Sequence, residues 1–185
     1  NFARRMQSNC SEWTISEWLS SFAATYGLNS AQVGIAGRKA EIEAEITGLQ
    51  PNTELVQTIS RLKRKGIETI ALSDIWLDEE DLETILRHFG IEFDAIFTSG
   101  SRKAAKSKKT LYKVVEEKKA GYGFVHAGDN LVSDFIFPRL LGWDSIWLPK
   151  PHPFLPFWIP KVFWKGLLKP KPKHYIQKIL DRGTR

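Results

Sequence analysis

Between residues 51 and 149 short apolar runs alternate with amphipathic stretches, and this alternation restricts the possible folds more than any other feature of the sequence. Leu55, Ile59 and Leu62 share a helical face that ends near Gly66. Residues 67–72 (IETIAL) then read as a strand closing on Ser73-Asp74. Asp78 is placed to cap a helix carrying Leu82, Ile85, Leu86 and Phe89, which Gly90 ends. Residues 93–98 read as a second strand, followed by a polar loop and a helix with Leu111, Val114 and Val115. Residues 122–127 read as a buried strand, a helix starts near Leu131, and 145–148 form the last strand. Strands separated by helices of about ten residues imply βαβ crossovers and a parallel sheet. In such a sheet ligands bind in the crevice at the carboxyl ends of the strands.

The flanks read differently. Thr14-Ile15-Ser16-Glu17 is a capping box, after which Ile15, Trp18, Leu19 and Phe22 fall on one helical face up to Gly27. A second helix starts at Asn29 or Ser30 and stops at Gly48, so residues 1–50 read as an all-helical piece. Trp13, Trp18 and Phe22 are expected in its core. At the other end, residues 149–173 hold seven of the nine prolines, interleaved with aromatic residues and lysines, and a short helix is expected over 175–180.

Charge follows the same division. The net +6 arises from residues 149–185, with nine Lys/Arg against the single acid Asp181, whereas the remainder carries 18 basic against 20 acidic residues. The basic character therefore belongs to the tail and suggests a partner for it. The aromatic and basic stretch 154–168 has the composition of an interfacial segment drawn to anionic lipid. Its prolines oppose the long amphipathic helix such anchors use, which favours packing across the domain surface or against a protein partner over an anionic membrane surface. No nucleic-acid-binding module is visible. The one cysteine, Cys10, excludes an internal disulfide and any multi-cysteine metal site. With no apolar run near the 18 or so residues of a spanning helix, a cytoplasmic location is expected, with a peripheral membrane association through the tail as a variant.

Chemistry concentrates where residues 122–127 give way to Gly128-Asp129-Asn130, with Asp134 following as a helix begins. Two carboxylates at one strand end repel by roughly 4 kcal/mol at 4 Å and an effective dielectric of about 20. A hard cation such as Mg²⁺, held by one or two carboxylates plus waters, offsets this. The plainer reading makes Asn130 an N-cap and Asp134 a favourable charge at the helix start. Upstream, Ser73-Asp74 ends the first strand, and the loop 101–109 offers Lys103, Lys106, Lys108 and Lys109. A hydroxyl, an ammonium and two metal-binding acids on one sheet edge describe a phosphoryl site.

The order of an apolar strand ending in Ser, then Lys, then a strand ending in Gly-Asp-x4-Asp resembles the haloacid dehalogenase (HAD) superfamily. The likeness covers roughly residues 51–149, and the helical piece before it resembles that family's cap. More narrowly, Leu49-Gln50-Pro51-Asn52, Ser73-Asp74-Ile75-Trp76-Leu77 and His126-Ala127-Gly128-Asp129-Asn130 with Ser133-Asp134 resemble a bacterial HAD-like group encoded with or fused to glycosyltransferases. The resemblance implies an α/β fold: a three-layer Rossmann-like parallel sheet with an N-terminal helical cap. The divisions are 1–50 for the cap region, 51–149 for the core and 150–185 for the basic tail. It also implies a Mg²⁺-dependent phosphohydrolase acting on a phosphate monoester, such as a sugar phosphate, through an aspartyl-phosphate. Ser73 becomes the phosphate-binding hydroxyl, Asp129 the principal Mg²⁺ ligand and Asp134 a support for the metal or its waters. Asp74 is weighed as orienting a substrate or the cap against a local turn role, and Asn130 is taken as a substrate contact. Lys106 is preferred among the lysines because Leu111-Tyr112 follow at the spacing of similar chains, leaving Lys103, Lys108 and Lys109 as a solvated basic face.

The sequence departs from that pattern in one essential respect. The family's first motif, Asp-x-Asp at the end of the first strand, supplies nucleophile and general acid, and no Asp-x-Asp occurs here. Residues 93–98 mimic its flanks, with Ile96 where the second acid belongs. The cap directly follows that motif in similar proteins, so the missing strand is expected before Asn1, and the chain as written is expected to be inactive. The alternative is a non-catalytic HAD-like module of a larger surface-polysaccharide or glycosyltransferase protein. Similar chains also usually carry Gly where Lys109 stands, and Pro138 either kinks the helix after Asp134 or begins a new one. His126 is favoured as a hydrogen-bonded core histidine over a catalytic base. Trp76 is read as lining an entrance or as an aromatic contact between cap and core. Arg38 and Lys39 are weighed as cap residues reaching an anionic substrate.

Overall fold

The computed structural model describes residues 12–148. The tail from 150 onward lies outside them, with its expected helix at 175–180 and the interfacial stretch 154–168, as does Cys10. The chain divides into two compact units, Asn1–Gly123 and Phe124–Arg185. Both are mixed α/β, with short parallel strands in two small sheets.

The first unit opens with a helical hairpin. Helix α1 (Ile15–Tyr26) starts on the expected capping box: Glu17 N donates to Thr14 Oγ1 at 3.1 Å, and Thr14 N donates to Glu17 Oε2 at 2.9 Å. Helix α2 (Ser30–Gly48) starts at Asn29, whose Oδ1 accepts from Gln32 N at 3.0 Å. The two helices approach closely at Gly37, where an added Cβ would lie 2.4 Å from Leu19 Cδ2. Phe22, expected in the core, lies largely exposed and stacks on Trp18, with ring centroids 5.6 Å apart.

A buried cluster of Ile15, Leu19, Leu77 and Ile85 joins the hairpin to the rest of the unit, with Trp18, Val33, Ile42 and Ile46 packed around it. Polar bonds reinforce the join. Ile15 N donates to Trp76 O at 2.8 Å, and Ser16 Oγ donates to Asp78 Oδ2 at 2.8 Å. Arg38 forks onto Asp81, with Nε 3.1 Å from Oδ2 and Nη2 2.7 Å from Oδ1. Asp81 is buried, so this planar, two-bonded partner is what makes its charge tolerable there. The residue weighed as a substrate-reaching arginine is thus engaged within the fold. Asp78 is a second correction. It occupies the N-cap position of α4 (Glu79–His88) but makes no capping bond; its carboxylate goes to Ser16, and Ser101 Oγ accepts from Glu79 N at 3.3 Å.

Helix α3 (Thr53–Arg64) leads to β1 (Ile70–Ser73), which pairs in parallel with β2 (Ala95–Thr98), from Ile70 opposite Ala95 to Ser73 opposite Thr98. Both strands are shorter than the sequence suggests because a side chain intervenes at their entry. Asp94 Oδ2 accepts from both Thr69 N and Thr69 Oγ1 at 2.8 Å, and Lys63 Nζ lies 3.2 Å from Oδ1. Asp94, whose flanks mimic a nucleophile motif, therefore pins the amino-terminal end of the strand pair. After a single helical turn, α5 (Ser99–Arg102), the loop 103–109 leads into α6 (Thr110–Lys118).

In the second unit β3 (Val125–Gly128) pairs in parallel with β4 (Asp144–Trp147), from Val125 opposite Asp144 to Gly128 opposite Trp147. Between them lie a π-helical turn, Leu131–Ile136, and the short helix α7 (Phe137–Leu140). Pro138 lies in the first turn of α7, where its missing N–H costs nothing. It begins a new helix and does not kink an old one. The strand expected to be buried over 122–127 is not: Tyr122 is 62% and Val125 41% exposed. Exposure alternates along β3, with Val125 and Ala127 exposed and His126 and Gly128 half-buried, so one face of the strand is uncovered.

The amide and hydroxyl of Thr69 hold the Asp94 carboxyl below the usual range. Its contribution is complete above the unfolded value of about 4 and disappears as pH falls through the depressed folded value. Asp94→Ala should lower stability by about 1 kcal/mol at pH 7, allowing for the solvent exposure of the carboxylate. Urea titrations at pH 7 and pH 3 check this: the deficit should shrink at the lower pH.

Candidate functional site

The candidate residues fall on two strand ends, one in each unit. In the first unit Ser73 is the last, half-buried residue of β1 and Asp74 is exposed just beyond it. Asp74 Oδ1 accepts from Lys106 N at 2.8 Å. The fold thus brings the lysine chosen from four candidates to the carboxyl end of the strand that carries the hydroxyl.

Residues 104–111 explain how that loop holds its shape. Ala104 and Ala105 are buried, and Leu111 and Tyr112 anchor α6 beneath them with no exposure. Thr110 closes the turn: its hydroxyl accepts from Ala105 N at 2.9 Å and donates to Ala105 O at 3.3 Å. Lys109 N donates to Lys106 O at 2.8 Å. Two lysines in the left-handed region bracket the loop, Lys103 at φ 52° and Lys109 at φ 61°. The backbone at 109 is thus one that glycine adopts without strain and a β-carbon resists.

Lys103 is exposed, as expected of a solvated face, but it is also engaged. Its Nζ donates to Glu12 O at 3.2 Å and pairs with the Glu17 carboxylate of the α1 capping box. Trp76, two residues past Asp74, donates from Nε1 to Glu41 Oε1 at 3.0 Å and meets the Trp18 ring at 6.2 Å. It is an aromatic contact between the hairpin and the strand end. Arg102 forks onto Glu79, both bonds at 2.7 Å, and lies over the Phe97 ring.

In the second unit the end of β3 forms a tightly bonded turn. Asn130 is a true N-cap, its Oδ1 accepting from Val132 N and Ser133 N at 3.0 Å each. Asp134 is 2% exposed. Its Oδ2 accepts from Asn130 N at 3.0 Å, while Ser133 Oγ and His126 Nε2 lie 3.3 Å from Oδ1. The carboxylate sits where a side chain on residue 128 would be: a Cβ there would lie 2.4 Å from Asp134 Oδ2. Only glycine fits. Asp129 stands exposed between these anchors, its carbonyl accepting from Trp147 Nε1 at 2.9 Å. The preceding carbonyl, Gly128 O, accepts from Leu148 N at 2.8 Å.

The two acids therefore occupy unlike environments. An exposed carboxylate on a fixed turn suits a hard cation that keeps most of its waters. A buried one with donors on both oxygens suits a role in shaping that turn. Among the described residues no group of three His, Cys, Asp or Glu side chains is arranged to hold a metal ion, and no described helix is long and apolar enough to cross a membrane. The Trp147 bond to Asp129 O escaped the sequence reading, since only the β3–β4 register places that indole opposite Gly128. No protein-family model matches the chain and no curated protein matches it significantly.

Two substitutions check this geometry. Lys109→Gly should raise stability by about 0.5–1 kcal/mol by relieving the left-handed backbone. Gly128→Ala should cost about 2 kcal/mol or more by evicting the Asp134 carboxylate. Gly123→Ala, with nothing within 4 Å of the new methyl, is the neutral control in the same denaturant titrations.

Proposed function

We propose that this chain is the body of a Mg²⁺-dependent phosphohydrolase of the HAD type, acting on a small phosphate monoester such as a sugar phosphate. The observation that supports the reading is the bond from the Lys106 backbone amide to Asp74 Oδ1, which ties the lysine-bearing loop to the strand end that carries Ser73. In this proposal Ser73 and Lys106 bind phosphoryl oxygens, and the lysine offsets negative charge that collects there during transfer. Asp74 and Asn130 orient the substrate and its surrounding loops. Asp129 would hold Mg²⁺, with Asp134 in support; when bound, the cation supplies charge neutralisation at the phosphoryl group.

The matching fold proposal is a three-layer Rossmann-like core with a helical cap. Two parallel pairs support it, because parallel sheets rarely stand as isolated pairs and are normally covered on both faces. β1 and β3 each have one strand neighbour among the described residues, and a further parallel strand bearing Asp-x-Asp would extend such a sheet. No Asp-x-Asp occurs in the 185 residues, so the activity is proposed for the complete protein carrying that motif, in the cytoplasm. The same fact favours a second reading, a non-catalytic HAD-like module of a larger polysaccharide-synthesis protein. There the basic tail meets a protein partner or an anionic membrane surface.

Hydrolysis of p-nitrophenyl phosphate by the full-length protein with Mg²⁺ separates the two. Under the first reading Asp129→Asn and Lys106→Ala each lower turnover by roughly tenfold or more. Rates unchanged by both substitutions would reject these assignments. A full-length protein without Asp-x-Asp and without activity would establish the second.

A further inference from the structure

The least explained polar cluster outside the proposed phosphate-binding residues is the buried pair of His126 and Asp134. His126 lies within β3, its side chain 10% exposed against 3% for Asp134, and its Nε2 stands 3.3 Å from Asp134 Oδ1. An ionised carboxylate only accepts, so in an ion-paired or hydrogen-bonded arrangement with such a group Nε2 is the donor. We propose that His126 is a positioning residue: it holds the Asp134 carboxylate in place and, through it, aims Asp129 into the site. The inference deepens the reading of Asp129 as the cation-binding residue and rests on it.

The chain of bonds runs without a gap. His126 and Ser133 share Oδ1 of Asp134, and Oδ2 accepts the amide of Asn130, the residue after Asp129. Asn130 caps Val132 and Ser133 with its own side chain, which fixes the far side of the turn. Trp147 and Leu148 fix the near side through the carbonyls of Asp129 and Gly128. Removing the histidine donor leaves a buried carboxylate short of a partner, and burial makes that costly. The cheapest relief is rotation of Asp134 toward solvent, which frees the Asn130 amide and turns the peptide that carries Asp129. Misplacement of a ligand-bearing side chain by about 1 Å is enough to weaken a site built on geometry.

The test uses the whole 185-residue chain and two variants. His126→Phe fills the space without a donor, and His126→Gln keeps one. Amide hydrogen exchange, read residue by residue by NMR, should be roughly tenfold faster at Asn130 in His126→Phe, with Ile146 in β4 unchanged. His126→Gln should restore it to within about threefold of wild type. Exchange at Asn130 that His126→Phe leaves unaltered would overturn the proposal, as would failure of His126→Gln to restore it. Should His126→Phe not fold, the ring nitrogen shifts of wild-type His126 decide. A proton on Nε2 supports the assignment, and a bare Nε2 overturns it. Paramagnetic broadening by Mn²⁺ tests the parent reading separately. Wild-type protein whose Asp129 signals ignore Mn²⁺ removes the cation from that reading and, with it, the function assigned to the aimed carboxylate. Under the proposal His126→Phe weakens that broadening, and His126→Gln recovers it.

Discussion

Parallel pairing is the constraint from which the rest of this structure follows. Two strands running the same way cannot be joined by a tight turn, so each return path must cross a helix. In the first unit that path is α4, and in the second it is the π-helical turn with α7. The arrangement gathers the loops after β1 and β3 at strand carboxyl ends, where backbone groups leave the ladder and need new partners. Ser73, Asp74, Asp129 and Asn130 lie in those loops or at the strand terminus itself, whereas Lys106 comes from the loop after β2 and α5, and Asp134 from the π-helical turn. Asp74 and Asp134 both spend a carboxylate oxygen on a backbone amide there, from Lys106 and from Asn130.

Neighbouring acids in one short motif can do different work when burial divides them. Asp129 and Asp134 are five residues apart, yet one faces solvent and the other is enclosed among Gly128, Asn130, Ser133 and His126. The first is exposed at the end of the strand, and the enclosed one behaves as part of the backbone's bonding scheme. Reading both simply as metal ligands merges these roles. The absence of a side chain at Gly128 is the physical reason that they separate.

What the sequence disclosed was mostly local. The Thr14 to Glu17 capping box, the Asn29 start and the Pro138 restart each depend on residues within a turn of one another, and each forms where the pattern places it. Strand existence was legible from apolar runs, but strand length was not, because Asp94 intercepts Thr69 from a distance of 25 residues. The same limit explains Asp78, which deserts its own helix for Ser16, and Lys103, which leaves its loop for Glu17. Arg38 looked available for a substrate only because Asp81 lies 43 positions away in sequence. Whether the residues of the two strand ends act together is a matter of long-range arrangement, which no periodicity encodes.

The attachment of the helical hairpin has a consequence for motion. A lid that swings on a hinge needs a boundary of weak, solvent-tolerant contacts. This boundary instead combines a two-pronged guanidinium grip on a carboxylate, a main-chain bond at Ile15, a pair of tilted indoles and a shared oily seam. Lifting it would rupture all of them in a single event, with a charge stranded in the process. The hairpin is therefore built as a fixed wall of the first unit, held by contacts that would have to break together.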